Sequence, residues 1–483
     1  MDHKNLQISI KKNLLFSILA VSFRLVANVF VFWLLARIYD PSIFGQFTFA
    51  HSLATTLIVI ADFGFDVFLT TEVSANRTSA TKIFSNLLSY KLVFTTSTMA
   101  VMFLFSALAY SSVNIKTLVF LFSFFLASTT LTNFLFALFR GIENLAYEMK
   151  VSLMMNALLI IVLPILLIIK VNIILVAVIF ISTRIVGLLI AAKYSNAVLG
   201  RLSFIDMFQS FGLIRNKMFV YGFHFVFSYI FFQLDTILLL LLKGEYDTGI
   251  YQAVFKFIML PLAIPEIIMN VLLPVLTRVF NKSKVEWMRI GGILSKTLII
   301  IALPIFLFLF TYSELVVKLV YGAKYMDAAP ILKIFSLIIL VRFLLEPFAL
   351  MLTTSDRQHV RLVTVVGATL INLTLNIFLI PQIGAKGAAM VSLITNTFVG
   401  LVFVSYNWTV FKDWFFNKRT LLLLGMIMVE IPIVFYSTYI FESAGVVLIA
   451  VFFSVSVYVY FTEYEKKYLI NEIKMNMNRV WKK

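Results

Sequence analysis

The chain contains no cysteine and only four histidines in 483 residues. The first absence excludes disulfide staples, thiolate metal sites and cysteine nucleophiles, and the second leaves little for imidazole ligation, so neither metal nor cofactor is expected. Charge is scarce as well. Asp, Glu, Lys and Arg make up 13% of the residues against 61% hydrophobic, with a mean hydropathy of +1.00. That balance excludes a soluble globular chain and describes a polytopic membrane protein. Acid is the rarer sign, 23 residues against 40 Lys plus Arg, for a net charge of +17. No nucleic-acid motif accompanies the basic excess, so no nucleic-acid partner is expected. No G-x-x-x-x-G-K-[ST] loop occurs either, which removes ATP hydrolysis as the direct drive.

What the chain has in abundance is long apolar runs. About 20 apolar residues cross a bilayer as a helix, because lipid offers the backbone no hydrogen bonds. On that basis spans are predicted at 14–36, 44–69, 86–110, 117–139, 150–169, 171–194, 218–242, 249–277, 290–311, 329–354, 361–380, 386–410, 420–440 and 444–462. Lys4, Lys11 and Lys12 precede a run too long for a signal-peptide core, so the first span is expected to be retained. Pro261, Pro265 and Pro274 should bend the eighth. With the N-terminus inside, 26 Lys and Arg fall in inner segments and 7 in outer loops. This asymmetry supports an even number of spans with both termini cytoplasmic.

One stretch is said twice. "LLARIYDPSIFGQF" (34–47) returns as "LLKGEYDTGIYQAV" (241–254), with Leu34, Tyr39, Asp40 and Ile43 recurring as Leu241, Tyr246, Asp247 and Ile250 at an offset of 207. Both copies follow an odd-numbered span with six spans between them, which predicts two parallel lobes related by an axis along the membrane normal. The expected organisation is a first lobe over 1–200 (six spans), a second over 201–412 (six spans), two further spans over 413–462, and a basic cytoplasmic tail over 463–483. Asp40 and Asp247 should cap the helices that follow them, with Pro41 in the first turn of one.

The same segments resemble a known family. "LLARIYDPSIFGQFTFAHSL" followed by "DFGFD", "FRGIEN" (139–144), "VYGAKYMDAAPIL" (320–332) and "IPQIGAKGAAM" (380–390) are similar in order and spacing to the Wzx-type O-antigen and capsule repeat-unit flippases. These belong to the multidrug/oligosaccharidyl-lipid/polysaccharide exporter superfamily, and the likeness runs from about Asn13 to Phe411. It implies an all-α, MATE-like fold of about 14 transmembrane helices in the bacterial inner membrane. The implied cargo is an undecaprenyl-diphosphate-linked oligosaccharide, and the implied partners are membrane lipid, a polysaccharide polymerase and a chain-length regulator. No catalysis is implied. The alternatives within the fold are a multidrug/cation:proton antiporter and a lipid-linked peptidoglycan-precursor flippase.

Polar residues inside the membrane are the candidates for function, because an unpaired ion there costs several kcal/mol. Arg24 stands eleven residues into the first predicted span, about 15 Å from either surface, with Asn28 one turn on. Its guanidinium can grip a diphosphate in bidentate fashion or pair with an acid on another helix. Tyr221, His224, Ser228 and Asp235 form one stripe, and Gln252, Lys256, Met259, Glu266 and Asn270 another. Asp235, His224 and Glu266 are ion-coupling candidates. Lys256 can contact a second phosphate oxygen or neutralise Asp235. Asp62 and Asp66, with His51 and Thr55 on one stripe, suit a gate or interfacial caps. Arg342 is a further cargo candidate, although Glu346 at i+4 can neutralise it. Lys91, Arg184, Lys296 and Lys333 are expected to snorkel to the interfaces.

Overall fold

The computed structural model describes residues 3–109, 112–169, 171–199, 233–440 and 442–462. The described residues are almost entirely helical and contain no strand. Among the described residues ten helices are long and apolar enough to cross a membrane, and the chain is a multi-pass membrane protein. Contacts divide it into two units, Met1–Phe257 with Asn372–Ala388 and Ile258–Ile371 with Ala389–Lys483.

The first unit holds α1 (His3–Ile38), α2 (Pro41–Asp62), α3 (Phe65–Ala75), α4 (Ala80–Ala109), α5 (Val113–Gly141), α6 (Leu145–Ile168), α7 (Ile173–Leu199), α8 (Gln233–Leu242) and the start of α9 (Glu245–Lys282). α5 is central, packing on α2, α3, α4 and α7, while α1 lies along α6. Its buried face, with Leu118, Phe122, Leu126, Phe134 and Leu138 fully or nearly fully covered, repeats at helical spacing.

The predicted span 44–69 is not one helix. The chain turns at Phe63 (φ 40°) and Gly64 (φ 86°), both left-handed. Glycine takes that conformation freely, but for phenylalanine it costs about 1–3 kcal/mol and must be held from outside. Asp62 supplies part of the hold by accepting the Asp66 backbone N–H at 3.2 Å, and the Phe63 ring stacks on Phe94 with centroids 5.9 Å apart. Hydropathy does not register the break, because apart from Asp62 and Asp66 the stretches on both sides are largely apolar.

The second unit holds α10 (Lys284–Thr311), α11 (Ser313–Val320), α12 (Ala329–Thr354), α14 (Trp408–Phe415), α15 (Lys418–Ile440) and α16 (Glu442–Tyr460). α10 packs on α12, pinned by the Trp287 indole donating to Thr354 Oγ1 at 2.9 Å. α15 and α16 pair with each other, and Trp414 of α14 donates to the Tyr460 hydroxyl at 2.9 Å. α13 (Gln358–Tyr406) contributes to both units and breaks at Ile383 and Gly384. It thereby accounts for two predicted spans, 361–380 and 386–410.

Candidate functional site

The first unit gathers cations among aromatic rings. Lys256, on the first part of α9, places Nζ 4.4 Å from the centre of the Phe32 ring of α1. Arg184 of α7 is 9% exposed, with its guanidinium 5.5 Å from the Phe180 ring and 6.0 Å from that of Phe125. Between them the buried His51 ring of α2 meets Phe32, Phe122, Phe125 and Phe180, with centroids 4.9–5.9 Å away. The charge of Arg24 acts on Arg184, and those of Lys256 and Arg184 act on His51.

Among the described residues neither Lys256 nor Arg184 has a hydrogen bond or ion pair, and Arg184 Nε is buried without an acceptor. Ring faces stabilise a cation by about 0.5–2 kcal/mol, far less than removal from water costs. Lys256 and Arg184 are therefore electrostatically unfinished among the described residues. Of the sequence candidates, the structure places Lys256 in this set and Arg24 within electrostatic reach of Arg184, while Asn28 is half-buried one turn from Arg24. Arg184, expected to snorkel, belongs to it instead. Its signal was its position on the same aromatic-rich face as Phe180, which counting residues from a helix end does not weigh.

Asp235, at 4% exposure, anchors a second polar cluster in the same unit. Its Oδ1 accepts from the Asn372 and Asn376 amides of α13 at 3.0 and 2.7 Å, and its Oδ2 accepts the Tyr251 hydroxyl at 2.6 Å. Gln252 donates to Thr236 at 2.5 Å and to Ser52 at 3.2 Å. The amide oxygens of Asn376 and Gln252 remain buried without a donor. An oxygen-rich site with unused acceptors can take a proton or a small monovalent cation. No cluster of three or more His, Cys, Asp or Glu side chains suited to a metal occurs among the described residues.

The repeated stretches meet each other. The first turns of α2 and α9 touch backbone to backbone: a Cβ added at Gly45 would lie 2.0 Å from the Glu245 carbonyl oxygen, and one at Gly249 would lie 1.8 Å from that of Pro41. The contact is reciprocal at an offset of 204, the offset between the two helix starts, and not at the 207 of the sequence echo. Gln46 donates to Glu245 across it at 2.6 Å. Asp40 stands at the N-cap position of α2 with extended backbone but makes no side-chain capping bond.

Asp247 does not cap α9, which begins two residues before it. It reaches to the break in α13, where its Oδ1 accepts the Ala385 N–H at 2.7 Å and would lie 2.0 Å from a Cβ at Gly384, whose φ is +57°. Lys243 donates to the Pro381 carbonyl beside it at 3.0 Å.

Asp62 and Asp66 are bound to Lys91, which is wholly buried and does not snorkel. Its Nζ lies 2.5 Å from Asp62 Oδ1 and 2.9 Å from Asp66 Oδ1, with the Phe134 and Phe65 rings 5.5 and 5.8 Å away. Asp66 is on α3, outside the spans, and burial pushes its carboxyl up to about 7. The charge of Arg140, which holds Glu148 through two bonds at 2.8 and 2.5 Å, also reaches Asp66. Lys296 is likewise buried and does not snorkel, its Nζ 5.6 Å from the Tyr460 ring.

Arg342 donates to Glu346 at 3.0 Å, the i,i+4 pairing foreseen as its alternative. Glu266 is exposed and lies in the second unit, away from the buried setting expected of an ion-coupling acid. His224 lies outside the described residues, as do Tyr221 and Ser228.

A model of the polysaccharide biosynthesis protein family matches residues 10–280. No curated protein matches the chain. Among solved structures, the lipid II flippase MurJ in an inward closed conformation is similar at 16% identity and a TM-score of 0.74, over 92% of this chain and 98% of that one. A multidrug resistance MATE family transporter of the MOP superfamily, inward-facing, is similar at 13% identity and a TM-score of 0.65, over 83% and 99%. A MOP superfamily transporter from Pyrococcus furiosus is similar at 13% and 0.58, over 85% and 96%. At these identities the likeness establishes a shared all-helical, MATE-like membrane fold.

Proposed function

We infer the activity of this chain from the family to which it belongs, that of the polysaccharide biosynthesis proteins. The chain is a flippase for an undecaprenyl-diphosphate-linked oligosaccharide, an O-antigen or capsule repeat unit, which it carries across the bacterial inner membrane by alternating access. The observation that carries this reading is the set of cations in the first unit. Arg184 and Lys256 are held against aromatic faces without acidic partners, with Arg24 close by. A diphosphate supplies the missing negative charge. Arg24 and Arg184 offer planar forks for bidentate contact, and Lys256 offers a point charge.

The same set disfavours a cation:drug antiporter, whose cargo would meet repulsion there. The lipid-linked peptidoglycan precursor shares the diphosphate and is the nearest alternative cargo. The lobes 1–200 and 201–412 rock about this site, and exchange of a proton or sodium ion at Asp235 resets the cycle. Asp62 at the end of α2 and Asp66 at the start of α3 act as part of the gate.

Deletion of the gene tests the reading. One surface polysaccharide is lost, its lipid-linked unit accumulates at the inner leaflet, and drug susceptibility is unchanged. Arg24→Ala and Arg184→Leu, expressed at normal level, fail to restore export, and Arg24→Lys restores part of it. Full export by Arg24→Ala refutes the assignment of the site. Unimpaired surface polysaccharide in the deletion strain refutes the assignment of the function.

A further inference from the structure

Glu430 plays no part in the transport described above, yet it is among the most exceptional side chains in the second unit. It is 7% exposed, both carboxyl oxygens lack a hydrogen-bond partner, and no cation pairs with it among the described residues. It stands twelve residues into α15, about 18 Å along the helix axis and so near the middle of the span expected over 420–440. An acid at that depth almost always pairs or faces water. Here it lines a groove of about 580 Å³ between α15 and α16 whose remaining walls are apolar.

The shape of the groove indicates what occupies it. Leu422, Val429 and Ile433 on α15, and Leu448, Val451 and Val455 on α16, recur at spacings of three, four and seven, presenting two parallel ridges to a third helix. Gly425 lies between them, and a Cβ there would meet nothing within 4 Å, so the floor is deep enough for a backbone to approach closely. A lipid chain suits the walls but leaves the carboxyl unanswered.

We propose that the α15–α16 groove docks a transmembrane helix of a partner protein that carries a Lys or Arg at mid-membrane, ion-paired with Glu430. The ridges and Gly425 supply packing, and the acid supplies selection by charge, because only a helix with a cation at the matching depth removes the cost of burying it.

The test uses the full-length chain in lipid nanodiscs, labelled on one cysteine introduced at Leu421, an exposed site in a chain with no other cysteine. The probes are synthetic Leu/Ala peptides of about 22 residues with Lys, Leu or Glu at the centre, read by energy transfer. The Lys peptide binds about tenfold more tightly than the Leu peptide. Glu430→Gln, nearly isosteric, abolishes that preference while polysaccharide export persists. Glu430→Lys transfers the preference to the Glu peptide, and Gly425→Leu weakens binding of all three. Equal binding of the Lys and Leu peptides to the unmodified chain overturns the proposal. So does a preference that survives Glu430→Gln, or displacement of the Lys peptide by equimolar octadecylamine, which would make the groove a site for a cationic lipid.

Discussion

Replacing Lys91 with methionine keeps the length and apolar stem of the side chain, and with them its packing between Phe65 and Phe134, while removing one charge. In the native arrangement two carboxyls share one ammonium, and all three groups are largely or wholly withdrawn from solvent. Without the cation, Asp62 and Asp66 face each other with no compensating positive charge in contact, since Arg140 is engaged by Glu148. Breaking a buried ion pair by removing one partner costs about 3–5 kcal/mol. Against a total stability of roughly 5–15 kcal/mol that is a large loss.

Thermal unfolding of the purified protein in detergent, followed by tryptophan fluorescence at about pH 8 and about pH 5, reads the effect. The Asp66 carboxyl sits at about 7 in the folded protein against 3.8 when free, so the folded state holds a proton that the unfolded state releases. The stability linked to it is fully present below 3.8 and is lost as pH rises through about 7. Lys91→Met strengthens this dependence, so the variant melts well below the wild type at about pH 8 and recovers part of the difference at about pH 5. Adding Asp62→Asn and Asp66→Asn removes all the charge but keeps the oxygen that receives the Asp66 N–H, and brings the midpoint back close to wild type. An unchanged midpoint for Lys91→Met at about pH 8, or a further fall at about pH 5, refutes the account.

Gly249→Ala places a methyl 1.8 Å from the Pro41 carbonyl oxygen and forces α2 and α9 apart; overpacking of this kind costs about 1–3 kcal/mol, and a cysteine pair across the corner should cross-link measurably more slowly. Gly384→Ala combines a positive φ with a collision against Asp247 and should lower the melting temperature more than Gly367→Ala, where a Cβ has open space. Cysteines introduced singly at Ser42 and Tyr246, one in each copy of the repeated stretch, should both react with an impermeant thiol reagent added from outside; labelling of one alone refutes the parallel arrangement. Tyr246 is 42% exposed and so accessible to the reagent.

The sequence disclosed the broad plan because apolar length and charge asymmetry are properties of whole segments. The all-helical membrane fold and the two halves of α13 could be read that way. The break at Phe63–Gly64 could not, since part of what holds it, the stacking of Phe63 on Phe94, joins residues on different helices. The echo at 207 pointed to two related corners but misplaced their register by three residues, because Tyr and Asp recur at positions that differ in structural role. Asp247 shows the consequence: its neighbours suggested a local cap, and its actual partner is 138 residues away. Depth in a helix was a poor guide for Lys91 and Arg184, which are buried against rings.

The corner where α2 meets α9 has a kinetic consequence. Most helix contacts interlock, so parting them requires side chains to withdraw from one another's gaps in concert. At Gly45 and Gly249 bare main chain rests on bare main chain, with nothing to extract. The Gln46–Glu245 and Gln252–Ser52 hydrogen bonds that flank it can be exchanged for bonds to water one at a time. Such a seam holds firmly while closed, yet it opens along a smooth path, without the rotameric friction that would otherwise limit how often the two helices separate and rejoin.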